Sequence, residues 1–391
     1  MLSKIKPAQF KKRELLTCFF VFAIVFSDIL GNGNLNLLYF FGLLLIFNNF
    51  RFKRTFISDV GIYFVPFFIM VIVEMLFSTN SFSILKLIVY CLKIFICTAL
   101  LSFTKREFWN IDHLKLIKNI CRLFALMLLL SLISVRYPIL WRLNDPYNSV
   151  SKTRLQFLYS EPSVLGLMCG AVLIILVYYF INGNKHLRKN TIKEITILLI
   201  ILVLTFSLSG ILYTVVAISM LFILSFFKDI RHIPKRYYFY LTFGSLIVLT
   251  ILFTNNPINR RVFIILSGAD SSFHFRWLVG VNAFIKTMNA TNFNGMGIGN
   301  MNTEYGLSLL KSFGIDFKLA NSFLYFLCEN GVYGFFYLIY LFSLLFYKSI
   351  KSPSFIKSLK VALFFFVFVS QITGGYFTDP LMWIVYGIIS S

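Results

Sequence analysis

Long apolar runs separated by short polar breaks make up most of this chain, and the runs do not alternate in the period of two that a membrane strand requires. A helix crossing a bilayer needs about 20 mostly apolar residues. The pattern predicts spans near 15–30, 35–50, 58–77, 83–103, 116–135, 162–182, 194–208, 210–227, 238–254, 320–347, 361–376 and 379–391. The expected fold class is therefore an all-α polytopic membrane protein with about 12 transmembrane helices, a single integral membrane domain over residues 1–391. The Lys-rich start followed by an apolar run resembles a signal peptide. No small-x-small cleavage site follows, so the run reads as a retained first span.

Composition narrows the function classes. Apolar types make up 58% of the residues and charged types 13%, where a soluble domain has about 45–50% and about 25%. With 48 Phe and a mean hydropathy of +0.81, a soluble enzyme, a secreted disulfide scaffold and a disordered chain are excluded. The net charge of +22 raises nucleic acid as a partner, but basic loops on one side of a membrane give the same sum. No nucleic-acid partner is expected. The six Cys lie in apolar stretches without a CxxC, and the four His are scattered. Neither a metal site nor a cofactor is expected.

Lys and Arg set the expected orientation. Most of the 37 basic residues fall in alternate loops counted from the N-terminus, among them Lys11, Arg54, Lys105, Lys185, Lys228 and Lys348. Both termini are then cytoplasmic, in a multi-pass protein of the cytoplasmic (inner) membrane. Three opposite loops are very short: Gly31–Asn34, Ser78–Ser81 and the turn at Ser209. Two are large, at 136–160 and 255–319, and loops of that size are commonly functional. The second carries Phe263, Phe273, Phe275, Trp277 and Phe284, so it is expected to fold back on the membrane. No repeat of 20–50 residues and no matched pair of broken helices is visible, which weakens a transporter reading.

Four constellations hold the candidate chemistry. Arg154 precedes Glu161-Pro162, with Gly166 one turn on. Pro162 suits the first turn of a helix, and Glu161 would sit at its positive end. Glu161 then reads as a base or substrate ligand, or as a helix-start acid paired with Arg154. Arg276-Trp277 can bind a phosphate through the guanidinium or mark an interfacial aromatic belt with a snorkelling Arg. Gly295-Met-Gly297-Ile-Gly299-Asn300 lacks the GK[ST] of a P-loop and the βαβ context of a dinucleotide fingerprint. It reads either as N–H groups for a pyrophosphate or as a tight turn. Asn321 and Glu329 share one face of a span, with Gly331 and Gly334 thinning it for close packing. Glu329 is costly in an apolar span and should be protonated, paired or facing water. Asp28, Glu74, Lys86, Lys93 and Arg122 are further intramembrane charges. Glu74 and Lys86 are expected to pair, with a proton or ion relay as the rival reading.

In their order these pieces resemble the O-antigen and capsule repeat-unit polymerases (Wzy-type) and the related O-antigen ligases. The resemblance rests on Arg154, Glu161-Pro162, Gly166, Ser207-Leu208-Ser209-Gly210, Arg276-Trp277, Gly295 to Asn300, and Asn321 through Gly334. It covers roughly residues 150–340. Ala320 stands where the ligases carry His, which favours polymerase over ligase, and Leu208 stands where the family's turn has Arg. The resemblance implies a GT-C-like, metal-independent glycosyltransferase. Its substrate would be an undecaprenyl-diphosphate-linked oligosaccharide, polymerised at the exterior face of the bilayer, with a chain-length regulator and a flippase as partners. Glu161 and Arg276 would be catalytic, as base and diphosphate ligand. Arg154, Gly297, Asn300 and Asn321 would bind substrate. A ligase, or a flippase or transporter for lipid-linked sugars, is the alternative.

Overall fold

The computed structural model describes residues 7–27, 36–48, 54–77, 83–108, 113–134, 140–143, 153–183, 185–228, 263–264, 267, 274–315, 319 and 321–391. The apolar runs among them are helices: α1 (Pro7–Val25), α2 (Leu37–Asn48), α3 (Arg54–Phe77), α4 (Ile84–Glu107) and α5 (His113–Ile133). Two three-residue strands, β1 (Trp141–Leu143) and β2 (Thr153–Leu155), pair antiparallel. Then come α6 (Pro162–Asn182), α7 (Lys185–Leu204), α8 (Leu208–Lys228), α9 (Gly280–Ala290) and α10 (Glu304–Ser312). The chain closes with α11 (Ser322–Ile350), α12 (Ser354–Thr373) and α13 (Pro380–Ser390). Seven described helices are long and apolar enough to cross a membrane, and three shorter apolar ones accompany them. The architecture is that of a multi-pass, all-α membrane protein. The spans expected at 238–254, the short loops at Gly31–Asn34 and Ser78–Ser81, and Asp28 lie outside the described residues.

One end of the bundle carries the starts of α6, α8, α11 and α13 and the ends of α3 and α12; it is called the site end below. α12 packs on α8 and α11, α6 on α7 and α8, and α13 on α4. All eleven residues of α13 are buried. At a rise of 1.5 Å per residue its length is about 16 Å, roughly half the hydrocarbon thickness of a bilayer. Its Trp383 and Tyr386 are fully buried, Trp383 against Phe377 and Tyr386 against Phe342.

Pro66 lies inside α3, where it has no N–H for the carbonyl of Ile62. A π-helical turn over Val60–Phe64 precedes it. Tyr340 of α11 donates its hydroxyl to Ile62 O at 2.9 Å, and Tyr337 donates to Tyr63 O at 3.1 Å. Carbonyls released by a proline at membrane depth must find such partners. At the end opposite the site, Lys105 pairs with Asp59 at 2.6 Å and Lys348 donates to the Tyr63 hydroxyl at 2.8 Å.

The weakly apolar stretch around 205–210 is a real break: α7 stops at Leu204 and α8 starts at Leu208. Ser207 Oγ accepts from Gly210 N at 3.2 Å. Gly210 lies so close to α6 that a Cβ there would stand 3.0 Å from the carbonyl carbon of Gly166. Backbone cannot swing aside as a side chain can. Gly210→Val is therefore expected to cost about 1–3 kcal/mol and to lower the thermal midpoint of the detergent-solubilised protein. Gly61→Ala, with nothing within 4 Å of its Cβ, should leave the midpoint unchanged or raise it.

Candidate functional site

α11 is not continuous. At Gly331 the backbone takes φ 56° and ψ −140°, which breaks the helical hydrogen-bond ladder. The loop 293–301 docks into that break as a short ladder. Val332 N donates to Phe293 O at 2.9 Å, Met296 N to Cys328 O at 2.8 Å, and Gly297 N to Glu329 O at 2.9 Å. Gly295 and Gly331 meet face to face, and a Cβ on Gly331 would stand 2.2 Å from Phe293 O. Gly331 is thus a break that receives a loop, not the small residue for helix packing that the sequence led us to expect.

Two fully buried carboxylates complete the dock. Glu74, at the end of α3, accepts from Ile298 N at 3.1 Å. Glu329 accepts from Met301 N at 3.1 Å. The Glu329 charge acts on Glu74, and the Lys86 ammonium, the Tyr325 hydroxyl and the Gly299 amide act on Glu329. Lys86 itself donates to Asn302 O at 2.6 Å. The expected Glu74–Lys86 ion pair is replaced by this arrangement, because the loop amides reach the carboxylate first. Gly297 and Asn300 are both buried. Asn300 donates from Nδ2 to Met296 O at 2.8 Å, and its carbonyl accepts from Thr303 Oγ1 at 2.7 Å. The amides of 296–298 and 301 therefore have protein acceptors, and these residues shape the loop from within.

Arg154, on β2, is also buried. Its Nε donates to Thr205 O at 2.9 Å, and Nη2 approaches Phe206 O at 3.5 Å. It ties the β-hairpin to the α7–α8 turn, and Glu161 takes a different partner, Ser163 Oγ at 2.9 Å. Glu161 is the exposed N-cap of α6 with Pro162 in the first turn, as its sequence implied. Asn321 is the buried N-cap of α11. It accepts from Leu324 N at 3.1 Å and donates to Ile372 O at 2.5 Å, binding the start of α11 to the end of α12. Ala320, Asp270 and Phe273 lie outside the described residues.

Arg276 is half-buried in a π-helical turn, His274–Val279, that leads into α9. The α9 segment, the glycine loop and α10 enclose a second apolar cluster of Ala283, Met296, Met301 and Leu310 against Cys328. These described parts of the second large loop pack on α11. The Arg276 guanidinium lies against the turn after α12, where a Cβ on Gly374 would stand 3.0 Å from Nη1. Two residues on, Tyr376 is 57% exposed. Its hydroxyl titrates above the ordinary phenol range. Desolvation is the main cause; the Glu161 carboxylate adds to it and the Arg276 guanidinium opposes it. Glu161 and Arg276, 115 positions apart by residue number, thus act on one phenol at the site end.

Tyr376 is hidden in the sequence because the apolar run reads through to 376, whereas α12 ends at Thr373. A signal was present. Gly374-Gly375 before Tyr376, and Asp379-Pro380 after it, repeat the cap-and-proline start seen at Glu161-Pro162. Comparison with protein-family models and with curated protein sequences finds no match for this chain.

Gly331→Ala tests the dock. Positive φ costs a non-glycine residue about 1–2 kcal/mol, and the clash with Phe293 O adds about 1–3 kcal/mol. The expected result is a lower thermal midpoint together with maleimide labelling of Cys328, which is fully buried beneath the loop. A variant that keeps Cys328 unreactive would show that the loop holds without the break.

Proposed function

We propose that this chain is a membrane glycosyltransferase that polymerises lipid-diphosphate-linked oligosaccharide repeat units at the exterior face of the bilayer. One observation carries the reading: at one end of an apolar helical bundle the Arg276 guanidinium lies against the turn that carries Tyr376, and the charge of the exposed Glu161 carboxylate acts on the same phenol. Transfer of a sugar from a diphosphate to a hydroxyl requires a base for the hydroxyl and positive charge for the diphosphate, which the carboxylate and the guanidinium can supply. The order of motifs from Arg154 to Gly334 supports the same reading. The basic residues Lys105 and Lys348 lie at the far end, and the positive-inside bias makes that end cytoplasmic.

In the reaction, an acceptor sugar hydroxyl attacks the anomeric carbon of the donor glycan. The new C–O bond forms as the bond from that carbon to the phosphate oxygen breaks. Glu161 takes the hydroxyl proton as general base. Arg276 faces the charge that gathers on the departing diphosphate, where bidentate guanidinium contacts are strongest. Arg154, Gly297, Asn300 and Asn321 act by holding the hairpin, the glycine loop and the helix starts that frame this spot.

Glu161→Gln is expected to lower turnover of purified protein on lipid-linked repeat units by about 10²–10⁴-fold. Arg276→Ala should collapse the surface glycan ladder of the host to single repeat units on their carrier. Full-length polymer in the Arg276→Ala strain would remove the diphosphate assignment. In a deletion strain, full-length polymer left on lipid would indicate a ligase instead, and single units trapped inside would indicate a flippase.

A further inference from the structure

The connection between α12 and α13 is short, and its two aromatic residues have opposite fates. Phe377 is 4% exposed, packed on Phe326 with ring centroids 4.6 Å apart and on Trp383 at 5.8 Å. Its carbonyl accepts from Trp383 Nε1 at 3.0 Å. The next carbonyl, of Thr378, accepts from the Tyr39 hydroxyl at 2.5 Å. Asp379 caps α13 through Leu381 N at 3.0 Å. The turn is therefore fixed from below by α2, α11 and α13. Tyr376 stands on its crest with its ring in the open, set edge-on to Tyr325 at 6.1 Å and 86°.

An exposed ring at a bilayer boundary has an ordinary explanation as part of an aromatic belt. The surroundings of Tyr376 hold more than a belt with its snorkelling Arg requires. Arg276 lies against Gly374, two residues away, and the Tyr325 hydroxyl beside it accepts from Asn302 Nδ2 at 2.9 Å. Glu161 acts on the same phenol. A rigid ring with a negative π face, held among polar and charged groups, suits a ligand that has both hydroxyls and a C–H face. A pyranose has both: its axial C–H bonds form an apolar, partly positive face, and its hydroxyls ring the edge.

We propose that Tyr376 is the sugar platform of the site: its exposed face stacks on the pyranose ring at the point of transfer, setting that ring between Glu161 and Arg276. Because the support beneath the turn is fixed before any ligand arrives, little ordering is left to binding. The identity of the sugar as part of a lipid-linked repeat unit rests on the polymerase reading; the platform itself rests on the turn and its neighbours. Tyr376 is a binding and specificity residue, so it should act on KM more than on kcat.

The test joins a binding measurement to a kinetic one on the full-length protein in detergent. Tyr376→3-fluorotyrosine places a fluorine on the ring. The probe is the repeat-unit oligosaccharide released by mild acid from the host's lipid-linked units, with inorganic pyrophosphate as the comparison. The fluorine resonance is expected to move with the oligosaccharide and to saturate, and to move less with pyrophosphate. In polymerisation assays, Tyr376→Ala should raise KM for lipid-linked units about tenfold, equivalent to about 1.4 kcal/mol of binding, with kcat within about twofold of wild type. Tyr376→Phe, which keeps the ring face, should stay near wild type. A resonance that does not move with oligosaccharide overturns the platform. Tyr376→Phe failing as badly as Tyr376→Ala overturns stacking in favour of the hydroxyl. The two readings fail separately. Wild-type protein that joins no units while the resonance moves refutes the polymerase but leaves a sugar site; polymerisation with a silent resonance does the reverse.

Discussion

The constraint on which the site depends is the exchange of backbone hydrogen bonds between the glycine loop and the break in α11. Irregular backbone at membrane depth is tolerated only where other protein groups satisfy it. Gly331 frees the carbonyls of Cys328 and Glu329, and the loop offers two amides at the matching spacing. Neither element would be stable bare: the broken helix would leave acceptors open, and the loop would leave donors open. Glu74 and Glu329 then take the next amides along, which gives two otherwise costly carboxylates a structural role. Because α9 leads into this loop and α10 leaves it, the dock also fixes where Arg276 enters.

The three groups at the site end are carried by three different segments of the chain. Glu161 stands at a helix N-terminus, where the aligned peptide dipoles favour its negative charge. Arg276 belongs to the folded loop segment and lies against Gly374, where a Cβ would crowd its Nη1. Tyr376 is carried by a turn nailed down through its neighbour. Supports on three different segments position the groups with little slack, as a site that must orient two substrates requires.

Much of this was legible in the sequence, for reasons that differ by element. The spans were readable because lipid selects composition directly, and the start of α6 because Glu-Pro states its own geometry. The break at 205–207 was readable from Ser207 and Gly210. The glycine motif was visible as unusual, but its purpose was not, since its partners Glu74 and Glu329 lie 224 and 32 positions from Ile298 and Gly297 respectively. The same distance effect hid the role of Arg154, whose acceptors lie more than 50 residues on. Two short strands were missed because three residues carry no period. Tyr376 was lost in a boundary error of three residues, which is small for a helix end but decisive for an exposed side chain.

The burial of α13 has a biosynthetic consequence. A helix whose every residue faces protein gains nothing from lipid, and about 16 Å of it cannot bridge the hydrocarbon layer alone. Its neighbours α2, α4, α11 and α12 all precede it in chain order, so they emerge from the ribosome and enter the bilayer while its slot stands vacant. The bundle passes through a stage in which the cleft for Trp383 and Tyr386 is open to lipid or to an insertion factor. When α13 fills that cleft, the turn before it gains the Trp383 side of its anchor at Phe377, beside the Phe326 contact that α11 already offers. The site end is thus assembled after the helices that surround it, by the arrival of a segment that the membrane itself does not recruit.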